Sequence, residues 1–239
     1  THPTSLVQSA AMASVPPPLP NYEPLLPTAL TRDGVLSAPQ LESVIYAGHA
    51  HACHLKGWFK PSEIAGQLVA ASETDEGAFR LRKGWFLGDG TGCGKGRQVA
   101  GVIADNWLNG RKRAVWVSKS DKLIEDARRD WMALGGRESD IVPLSKFRQG
   151  SDIRLSEGIL FVTYATLRSA EREGKASRLD QVVAWLGVGF DGVIAFDESH
   201  AMANAAGEKS ARGDKKASQQ GLAGLALQNA VPDARILYV

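Results

Sequence analysis

The chain alternates short, continuous apolar runs with segments of helical spacing. The apolar runs cover residues 84–88, 114–118, 158–163, 192–196 and 235–239. Each run is too short for a helix, and its β-branched and aromatic residues favour a strand that is buried on both faces. Before the first run, the pattern predicts a helix over about residues 39–54. The sequence therefore predicts a set of buried strands with helices between them.

The segments that follow the runs carry apolar residues at helical spacing. After the first run these are Val99, Val102, Ile103 and Trp107, and after the second run they are Leu123, Ile124, Ala127 and Trp131. The pair Gly135-Gly136 then supplies a helix stop. Strands that alternate with helices form βαβ units, so we predict an α/β fold with a mostly parallel sheet and helices on both faces. In this architecture ligands bind beyond the carboxyl ends of the strands.

Composition agrees with a folded domain and sets one segment apart. The 239 residues are 44% hydrophobic and 23% charged, as in ordinary soluble proteins. Residues 1–32 are rich in proline with serine and threonine between, which predicts a linker or an arm that follows the surface. We therefore divide the chain into this segment and an α/β domain over residues 33–239. We also expect the chain to be a piece of a longer protein.

Charge and cysteine content narrow the class further. The net charge of +2 is too small to indicate nucleic-acid binding by itself, so such binding must depend on local sites. There is no apolar run of about eighteen residues and no signal peptide, so we expect no membrane association. The two cysteines cannot form a disulfide framework. We expect a reducing, intracellular compartment, namely the cytoplasm of a bacterium or the nucleus of a eukaryote.

A glycine-rich loop follows the first predicted strand and opens a helix. Its glycines let backbone N–H groups point at one anion, the helix N-terminus adds a partial positive charge, and the lysine adds a full one. The order of strand, loop, lysine and helix predicts a site for ATP with Mg²⁺. A glycine-rich turn without a ligand is the alternative. The loop residues predicted to contact the nucleotide are Gly90, Thr91, Gly92, Cys93, Gly94, Lys95, Gly96 and Arg97.

Two positions of this loop depart from the usual phosphate-loop pattern. Asp89 replaces the first glycine, and Gly96 replaces the serine or threonine whose hydroxyl ligates Mg²⁺. A glycine has no side chain with which to bind a metal. Either other groups and water hold the ion, or the site binds nucleotide without turning it over.

A pair of adjacent carboxylates ends the fourth apolar run. Asp197 and Glu198 are followed by Ser199 and His200, about one hundred residues after the loop. Two carboxylates at the tip of an apolar strand are unfavourable unless a cation compensates them. We expect Asp197 to bind Mg²⁺ through water and Glu198 to polarise the water that attacks the γ-phosphate. His200 is expected to link the ATP site to a neighbouring lobe.

These motifs resemble those of a known family. The tetrad Asp197-Glu198-Ser199-His200 resembles motif II of superfamily 2 helicases. The segments 36–42, 88–103, 110–118, 144–146 and 190–200 resemble the Strawberry notch family of helicase-like proteins, and the similarity covers about residues 22–239. Its most specific element is Gly94-Lys95-Gly96-Arg97, because Gly-Lys-Gly-Arg is that family's own version of the loop.

The resemblance implies a RecA-like lobe of a two-lobe motor that binds ATP in the cleft between the lobes. Gln40 then corresponds to the glutamine that reads adenine, and Tyr22 is a candidate to stack on the base, with an anchoring core tyrosine as the equal alternative. A Ser-Ala-Thr motif, the second lobe and its arginine finger are expected beyond Val239. By position after strands, the candidates to contact the backbone of DNA or RNA are Lys119, Ser120, Thr163 and Tyr164, and Lys146 in the segment 144–146 is a further candidate. An ordinary surface residue is the alternative for each of them.

Two further segments are open to alternative interpretations. A cluster of four histidines and cysteines favours packing or surface exposure over zinc binding, because no second ligand pair has a suitable spacing. Residues 201–220 are rich in small and polar residues, and we expect a flexible loop, with nucleic-acid or partner contact as the alternative. The members of the cluster are His49, His51, Cys53 and His54.

The leading functional hypothesis is the ATP-binding lobe of a helicase or translocase that couples ATP hydrolysis to movement or remodelling on nucleic acid. We expect this activity in the full-length protein and little in this chain alone. One alternative is a nucleotide-binding scaffold that regulates gene expression without hydrolysis, motivated by Gly96. The other alternative is a soluble phosphoryl-transfer enzyme such as a small-molecule kinase. Two features argue against it: the missing hydroxyl after Lys95 and the histidine after the acidic pair.

Overall fold

The structure is a computed structural model that describes residues 2, 5–7, 14–63, 67–169, 176–203, 205 and 218–239. The strands are β1 (Trp58–Pro61), β2 (Leu68–Ala71), β3 (Trp85–Phe86), β4 (Arg113–Ser118), β5 (Ile141–Pro143), β6 (Gly158–Thr163), β7 (Val193–Phe196) and β8 (Arg235–Tyr238). The helices are α1 (Ala29–Arg32), α2 (Ala38–His51), α3 (Lys95–Leu108), α4 (Ile124–Ala133), α5 (Tyr164–Leu167), α6 (Arg178–Leu186) and α7 (Gln219–Ala230).

The core of the domain is a six-stranded sheet in the order β3-β8-β7-β4-β6-β5. All of its strand pairs are parallel. Helices α2, α3 and α4 contribute to the hydrophobic cluster on one face, and α5, α6 and α7 contribute to the cluster on the other. The predicted α/β fold with helices on both faces is therefore confirmed.

The central strands are apolar throughout because both of their faces are covered. In β4, Ala114 and Trp116 belong to one hydrophobic cluster, whereas Val115 and Val117 belong to the other. Successive side chains of a strand point to opposite faces, so a strand between two helical layers needs an apolar residue at every position. This physical requirement explains the continuous apolar runs in the sequence.

Three parts of the sheet structure differ from the prediction. The first apolar run pairs with β8 only at Trp85 and Phe86, so it forms a short edge strand. Strand β5 was not predicted, since its three residues Ile141–Pro143 are too few to stand out as a run. The antiparallel pair of β1 and β2 was not predicted either. Most of the segment 201–220, for which a flexible loop is expected, lies outside the described residues.

The end of the proline-rich segment lies against helix α3. The hydroxyl of Tyr22 donates a hydrogen bond to Asp105 Oδ2 at 2.5 Å, and the backbone N–H of Leu25 donates to Asp105 Oδ1 at 2.8 Å. The Tyr22 ring also packs so closely on Gly48 of α2 that a Cβ there would lie 2.1 Å from it. These contacts attach residues 22–25 to the domain. Across the described residues, no helix combines the length and apolarity needed to cross a bilayer.

Candidate nucleotide site

The carboxyl ends of the parallel strands gather the motif residues at one edge of the sheet. The glycine-rich loop follows β3, the Asp197-Glu198 pair follows β7, and Ser118 ends the adjacent strand β4. Parallel strands present their carboxyl ends on the same side, so loops far apart in sequence become neighbours. This edge is therefore where a ligand site can form.

Helix α3 begins directly at the lysine of the loop. Gly94 is its N-cap and has φ 70°, and Gly92 has φ 89°, so both positions use the left-handed conformation that glycine adopts without strain. Lys95 is the first residue of α3, and its Nζ donates to the carbonyl of Asp89 at 3.0 Å. The lysine thus reaches back across the loop at the positive end of the helix.

Two buried glutamines hold the loop from beneath. Gln98 Nε2 donates to Asp89 Oδ2 at 2.9 Å and to the carbonyl of Cys93 at 3.2 Å. Gln40 Nε2 donates to the same Cys93 carbonyl at 3.2 Å, while its Oε1 accepts from the backbone N–H of Ser37. A Cβ at position 94 would lie 2.4 Å from Gln40 Nε2, so a larger residue there would displace this amide in addition to straining the backbone. The loop conformation is therefore fixed by contacts with both α2 and α3.

Asp197 is anchored at the end of β7 by the neighbouring strands. Its Oδ2 accepts a hydrogen bond from Ser118 Oγ at 3.0 Å, and its backbone N–H donates to the carbonyl of Val117 at 2.8 Å. Burial raises the pKa of the Asp197 carboxyl, and the adjacent charge of Glu198 raises it further, against the hydrogen bond from Ser118, which lowers it. A cation at this point would relieve the electrostatic cost of both carboxylates.

Glu198 turns its carboxylate out into solvent. It has φ 52°, the only positive φ among the described residues that are not glycine. Backbone strain of this kind costs about 1–2 kcal/mol and is concentrated at functional sites. The Glu198 carboxylate lies 3.1 Å from Nδ1 of His200. The strained backbone therefore orients Glu198 towards His200 rather than along the strand.

One open cavity joins the loop to the acidic strand end. It has a volume of about 570 Å³, and Asp89 and Lys95 line one side while Glu198 and His200 line the other. The loop lysine and Glu198 therefore meet at a single cavity, whereas Asp197 lies one residue before Glu198 and is not among the residues that line it. A cationic side chain and a carboxylate around one cavity, with a second carboxylate next in sequence, are features that binding of a metal–triphosphate requires.

A row of three aromatic rings on one face of the sheet supports this site. The rings of Tyr164 and Phe196 stack with centroids 6.4 Å apart, and those of Phe196 and Tyr238 stack with centroids 5.7 Å apart. The hydroxyl of Tyr164 donates to the carbonyl of Asp197 at 3.0 Å. We call these residues the aromatic row. It runs from the end of β6 across β7 to β8.

Comparison with known proteins agrees with this geometry. Over residues 1–239 the chain matches the family described as "P-loop containing NTP hydrolase pore-1". It is 40% identical to Protein strawberry notch homolog 2 of Mus musculus, 36% identical to Protein strawberry notch of Drosophila melanogaster and 34% identical to Protein FORGETTER 1 of Arabidopsis thaliana, each over 99% of this chain. The chain belongs to the strawberry notch family.

The chain corresponds to a small part of these strawberry notch proteins. It spans 15% of the mouse protein, 13% of the fly protein and 16% of the plant protein. It is a P-loop NTPase domain of this family, and its relatives contain much additional sequence. The predicted resemblance to the Strawberry notch family is thereby confirmed.

The structure corrects two of the predicted nucleic-acid contacts in this strawberry notch domain. Tyr164 is only 1% exposed, because its ring is the first member of the aromatic row. Burial and the negative charges of Asp197 and Glu198 raise its pKa above the usual value. Thr163 is 5% exposed and caps α5, where its Oγ1 accepts from the backbone N–H of Thr166 at 3.1 Å. Neither side chain is free to contact a phosphate.

The remaining nucleic-acid candidates lie at the surface. Lys119 and Lys146 are exposed next to the carboxyl ends of β4 and β5, and Ser120 is half-buried and caps the turn at Lys122. Lys146 lines a cavity of about 620 Å³ together with Arg148 and Arg154. These two arginines were not singled out from the sequence, because a basic side chain in a loop carries no signal of its own.

Three predicted nucleotide contacts make internal contacts instead. Tyr22 has the anchoring role that the sequence left open, since its hydroxyl is hydrogen-bonded to Asp105 near the far end of α3. Gln40 is 6% exposed, and both ends of its amide contact protein backbone. The Arg97 guanidinium donates to the carbonyl of Val35 and pairs with Asp130. Gln40 therefore supports the loop from behind, whereas Arg97 joins the start of α3 to Val35 and to α4.

The four residues of the histidine and cysteine cluster do not share one site, because the histidines each have a different hydrogen-bond partner. His49 pairs with Asn21, His51 is buried against the carbonyl of Ile236, and His54 pairs with Asp233. Cys53 is an exposed free thiol. In the described part of the chain, no three His, Cys, Asp or Glu side chains are grouped so that they could hold a metal ion.

Three site residues were missed by sequence reasoning. Ser118 hydrogen-bonds Asp197, Gln98 hydrogen-bonds the loop, and Asp130 lies against Gly96. Gln98 could have been found from the sequence. It is a polar residue in the first turn of a mainly apolar helix that follows a phosphate loop, and the loop is the main hydrogen-bond partner within its reach. Ser118 and Asp130 depend on which strands and helices are neighbours, and sequence spacing alone does not determine that order.

Proposed function

We propose that this chain is the ATP-binding lobe of a nucleic-acid-stimulated ATPase of the helicase or translocase type. The observation that carries the proposal is the single cavity lined by Lys95 from the phosphate loop and by Glu198 and His200 from the acidic strand end. Membership of a family described as NTP hydrolases supports the same conclusion. The partners proposed are the backbone of DNA or RNA and a second lobe of the full-length chain.

The phosphate loop would bind the triphosphate chain of ATP. Its backbone N–H groups at the N-terminus of α3 attract anions, and Lys95 would exchange the carbonyl of Asp89 for a phosphate oxygen. The exchange is favourable because a charged partner replaces a neutral one. Gln98 and Gln40 keep the Cys93 carbonyl turned inward, away from the anion.

The acidic strand end fits a magnesium ion. Asp197 is partly buried and its pKa is raised by that burial, so a neighbouring cation would stabilise its ionised form. The hydrogen bond from Ser118 fixes the carboxylate for this purpose. Mg²⁺ supplies neutralisation of the phosphate charge when it is bound.

Glu198 would act as the base that orients and polarises the attacking water. Its carboxylate lies at the cavity surface with His200 3.1 Å away, so the imidazole can hold it in place or take up a proton. The left-handed backbone at Glu198 is consistent with this role, because strain at one residue is retained where it positions a reacting group.

The test is ATP turnover by the full-length protein with Glu198→Gln. We expect hydrolysis to fall by about 100-fold or more, because a general base contributes about 10²–10⁴-fold, while nucleotide affinity stays the same. Glu76→Gln is the matched control, since Glu76 is an exposed carboxylate of the β1–β2 region, outside the cavity lining. Turnover is measured with and without single-stranded DNA and RNA.

The outcomes separate this function from the scaffold that regulates without hydrolysis. Tight nucleotide binding with no turnover at saturating Mg²⁺ would favour the scaffold, for which Gly96 is the specific motivation. ATP turnover that is the same with and without DNA or RNA would contradict the nucleic-acid part of the proposal. Stimulation by one polymer alone would identify the partner.

A further inference from the structure

The loop that connects β5 to β6 carries three cationic side chains around one cavity. Lys146, Arg148 and Arg154 are exposed, and all three line a cavity of about 620 Å³. One carboxylate, that of Asp152, lines the same cavity, so three positive charges are set against one negative charge. We call residues 146–154 the basic loop. It lies beside β5, which is an edge strand of the sheet.

Apolar side chains attach the basic loop to the body of the domain. Ile153 is 9% exposed and belongs to the hydrophobic cluster on the α6 face of the sheet, and the half-buried Phe147 and Leu155 pack against the same cluster. The three cations are the immediate sequence neighbours of these apolar residues. Burial of every apolar neighbour leaves the charged side chains at the surface, on a backbone that is held from inside.

One side of helix α6 holds the carbonyl groups of this segment. Arg178, Gln181 and Trp185 are three and four positions apart, so they lie on the same side of the helix. Their side chains donate hydrogen bonds to backbone carbonyls at distances of 2.6 to 2.9 Å. The accepting carbonyls are those of Phe147, Arg148, Ser151 and Leu155. These oxygens are therefore occupied by α6 and do not neutralise the cations of the loop.

The cations of the basic loop are available to an outside anion. Across the residues that the structure describes, their side chains form no ion pair or hydrogen bond with the protein. The basic residues just before β4 differ in this respect, since Arg111 pairs with Asp191 and Lys112 pairs with Glu157. Guanidinium groups donate two parallel hydrogen bonds to the oxygens of a phosphate, which makes arginine well suited to that group.

We propose that Lys146, Arg148 and Arg154 bind phosphate groups of a nucleic-acid backbone, and that the basic loop is a rigid contact that does not read sequence. The inference deepens the proposed function and rests on it, because it names where the polymer partner is held. A nucleic-acid strand carries one charge per nucleotide, so it can meet both this loop and the exposed Lys119, which follows β4 two strands away. A single free phosphate cannot do so.

The experiment measures the salt dependence of nucleic-acid binding by the full-length protein. Labelled single-stranded DNA and RNA oligonucleotides of equal length are titrated by fluorescence anisotropy over a series of salt concentrations. In the double variant Arg148→Gln with Arg154→Gln we expect the slope of log affinity against log salt to fall by about 1.4, because each phosphate contact contributes about 0.7 on a single strand. Affinity at about 0.1 M salt should fall by about tenfold or more.

Two further double variants separate phosphate contact from a general or structural effect. Lys56→Gln with Arg80→Gln removes the same charge from exposed positions near β1 and β2, and we expect it to leave the slope unchanged. Arg148→Lys with Arg154→Lys keeps both charges, so we expect it to retain the slope. Urea unfolding midpoints should match that of the unaltered protein in every variant, because these side chains are exposed.

Several results would overturn the proposal. An unchanged slope in Arg148→Gln with Arg154→Gln is one, and an equal loss in the control near β1 and β2 is another. A loss that comes with a lower unfolding midpoint and is not restored by lysine would show that the arginines are structural. If the unaltered protein binds neither DNA nor RNA, the nucleic-acid part of the proposed function fails, which differs from binding that is present and indifferent to the two arginines.

Competition identifies the source of the anion. We expect inorganic phosphate, at the same concentration of phosphate groups, to displace the oligonucleotide poorly, because one ion replaces only one of several contacts. Complete displacement would assign the cavity to a free phosphate. Binding of poly-glutamate that depends on both arginines, together with oligonucleotide binding that does not, would assign it to an acidic protein partner.

Discussion

His51 is a buried histidine whose ring carries no charge in the folded protein. It is 1% exposed, and Nε2 donates to the carbonyl of Ile236 at 2.9 Å, while Nδ1 has no hydrogen-bond partner within the described residues. Its pKa is lowered from 6.5 to about 4, mainly by burial and in part by the charges of Arg235 and Arg82, against the raising effect of the hydrogen bond to the Ile236 carbonyl. Folding therefore requires the neutral imidazole.

We expect His51 to make stability fall as the pH is lowered through the window from about 6.5 to about 4. In that window the unfolded chain binds a proton that folded His51 does not, so protonation favours unfolding. The full effect is about 3 kcal/mol, at about 1.4 kcal/mol per pKa unit. Urea unfolding of this chain at several pH values measures it.

The variant His51→Gln isolates this contribution. The glutamine amide can still donate to the Ile236 carbonyl but has no titrating ring, so the free energy of unfolding should depend less steeply on pH between about 4 and 6.5. His49→Gln is the control, because His49 lies on the same helix beside Asn21. An unchanged slope in His51→Gln would contradict the assignment.

At the scale of single residues, sequence reasoning succeeded where chemistry and position coincide. Lys95, Glu198 and His200 line one cavity, and this could be predicted because each follows an apolar run and parallel strands end at one edge. Tyr164 also follows a strand, but its ring packs on Phe196 in the hydrophobic cluster on one face of the sheet. The position after a strand does not say whether a side chain turns out or in, because that depends on neighbours from distant segments.

Helix α3 connects the nucleotide site to the end of the proline-rich segment. Its first residue is Lys95, and near its last turn Asp105 accepts hydrogen bonds from the Tyr22 hydroxyl and the Leu25 backbone. Asp105 is 1% exposed, and burial raises its pKa despite these bonds. A buried carboxylate of this kind depends strongly on its hydrogen-bond donors.

We expect Tyr22→Phe to destabilise the chain by about 1–3 kcal/mol without changing nucleotide affinity. The variant keeps the ring against Gly48 but leaves one oxygen of Asp105 without its donor. Urea unfolding gives the first quantity and calorimetric titration with an ATP analogue gives the second. Tyr22→Ala distinguishes the two roles more sharply, because a base-stacking tyrosine would lose nucleotide affinity on truncation and an anchoring one would not.

The elements that sequence patterns missed are short or irregular. Strand β5 has three residues and pairs only with β6, so it lacks the length that makes an apolar run visible. Strands β1 and β2 carry mixed burial and form a separate two-stranded sheet, to which Phe79 adds an isolated antiparallel bridge at Phe59. By contrast β4, β6 and β7 are buried at nearly every position, and their continuous hydrophobicity made them predictable.

At the scale of the whole molecule, the two proposed ligands use different parts of one sheet edge. The nucleotide cavity lies at the ends of β3, β7 and β8, whereas the exposed Lys119 and Lys146 follow β4 and β5. The strand order puts β4, β6 and β5 together on the side away from β3. A nucleic-acid backbone could therefore cross this side without covering the cavity.

We expect the double variant Lys119→Ala with Lys146→Ala to weaken nucleic-acid binding by the full-length protein and to flatten its salt dependence. Each lost phosphate contact lowers the slope of log affinity against log salt by about 1. Basal ATP turnover without nucleic acid should be unchanged. Lys56→Ala is the control for charge, since Lys56 is exposed outside this edge. A salt-dependence slope equal to that of the unaltered protein would show that these lysines do not contact nucleic acid.

The aromatic row has a mechanical consequence. Stacked rings packed at the density of a protein interior can be shifted together but hardly compressed. A displacement of the Tyr164 ring at the end of β6 would therefore move Phe196 and then Tyr238, which lines the nucleotide cavity. A displacement at the end of β6 would thus reach the cavity through three side chains, with no hinge between them.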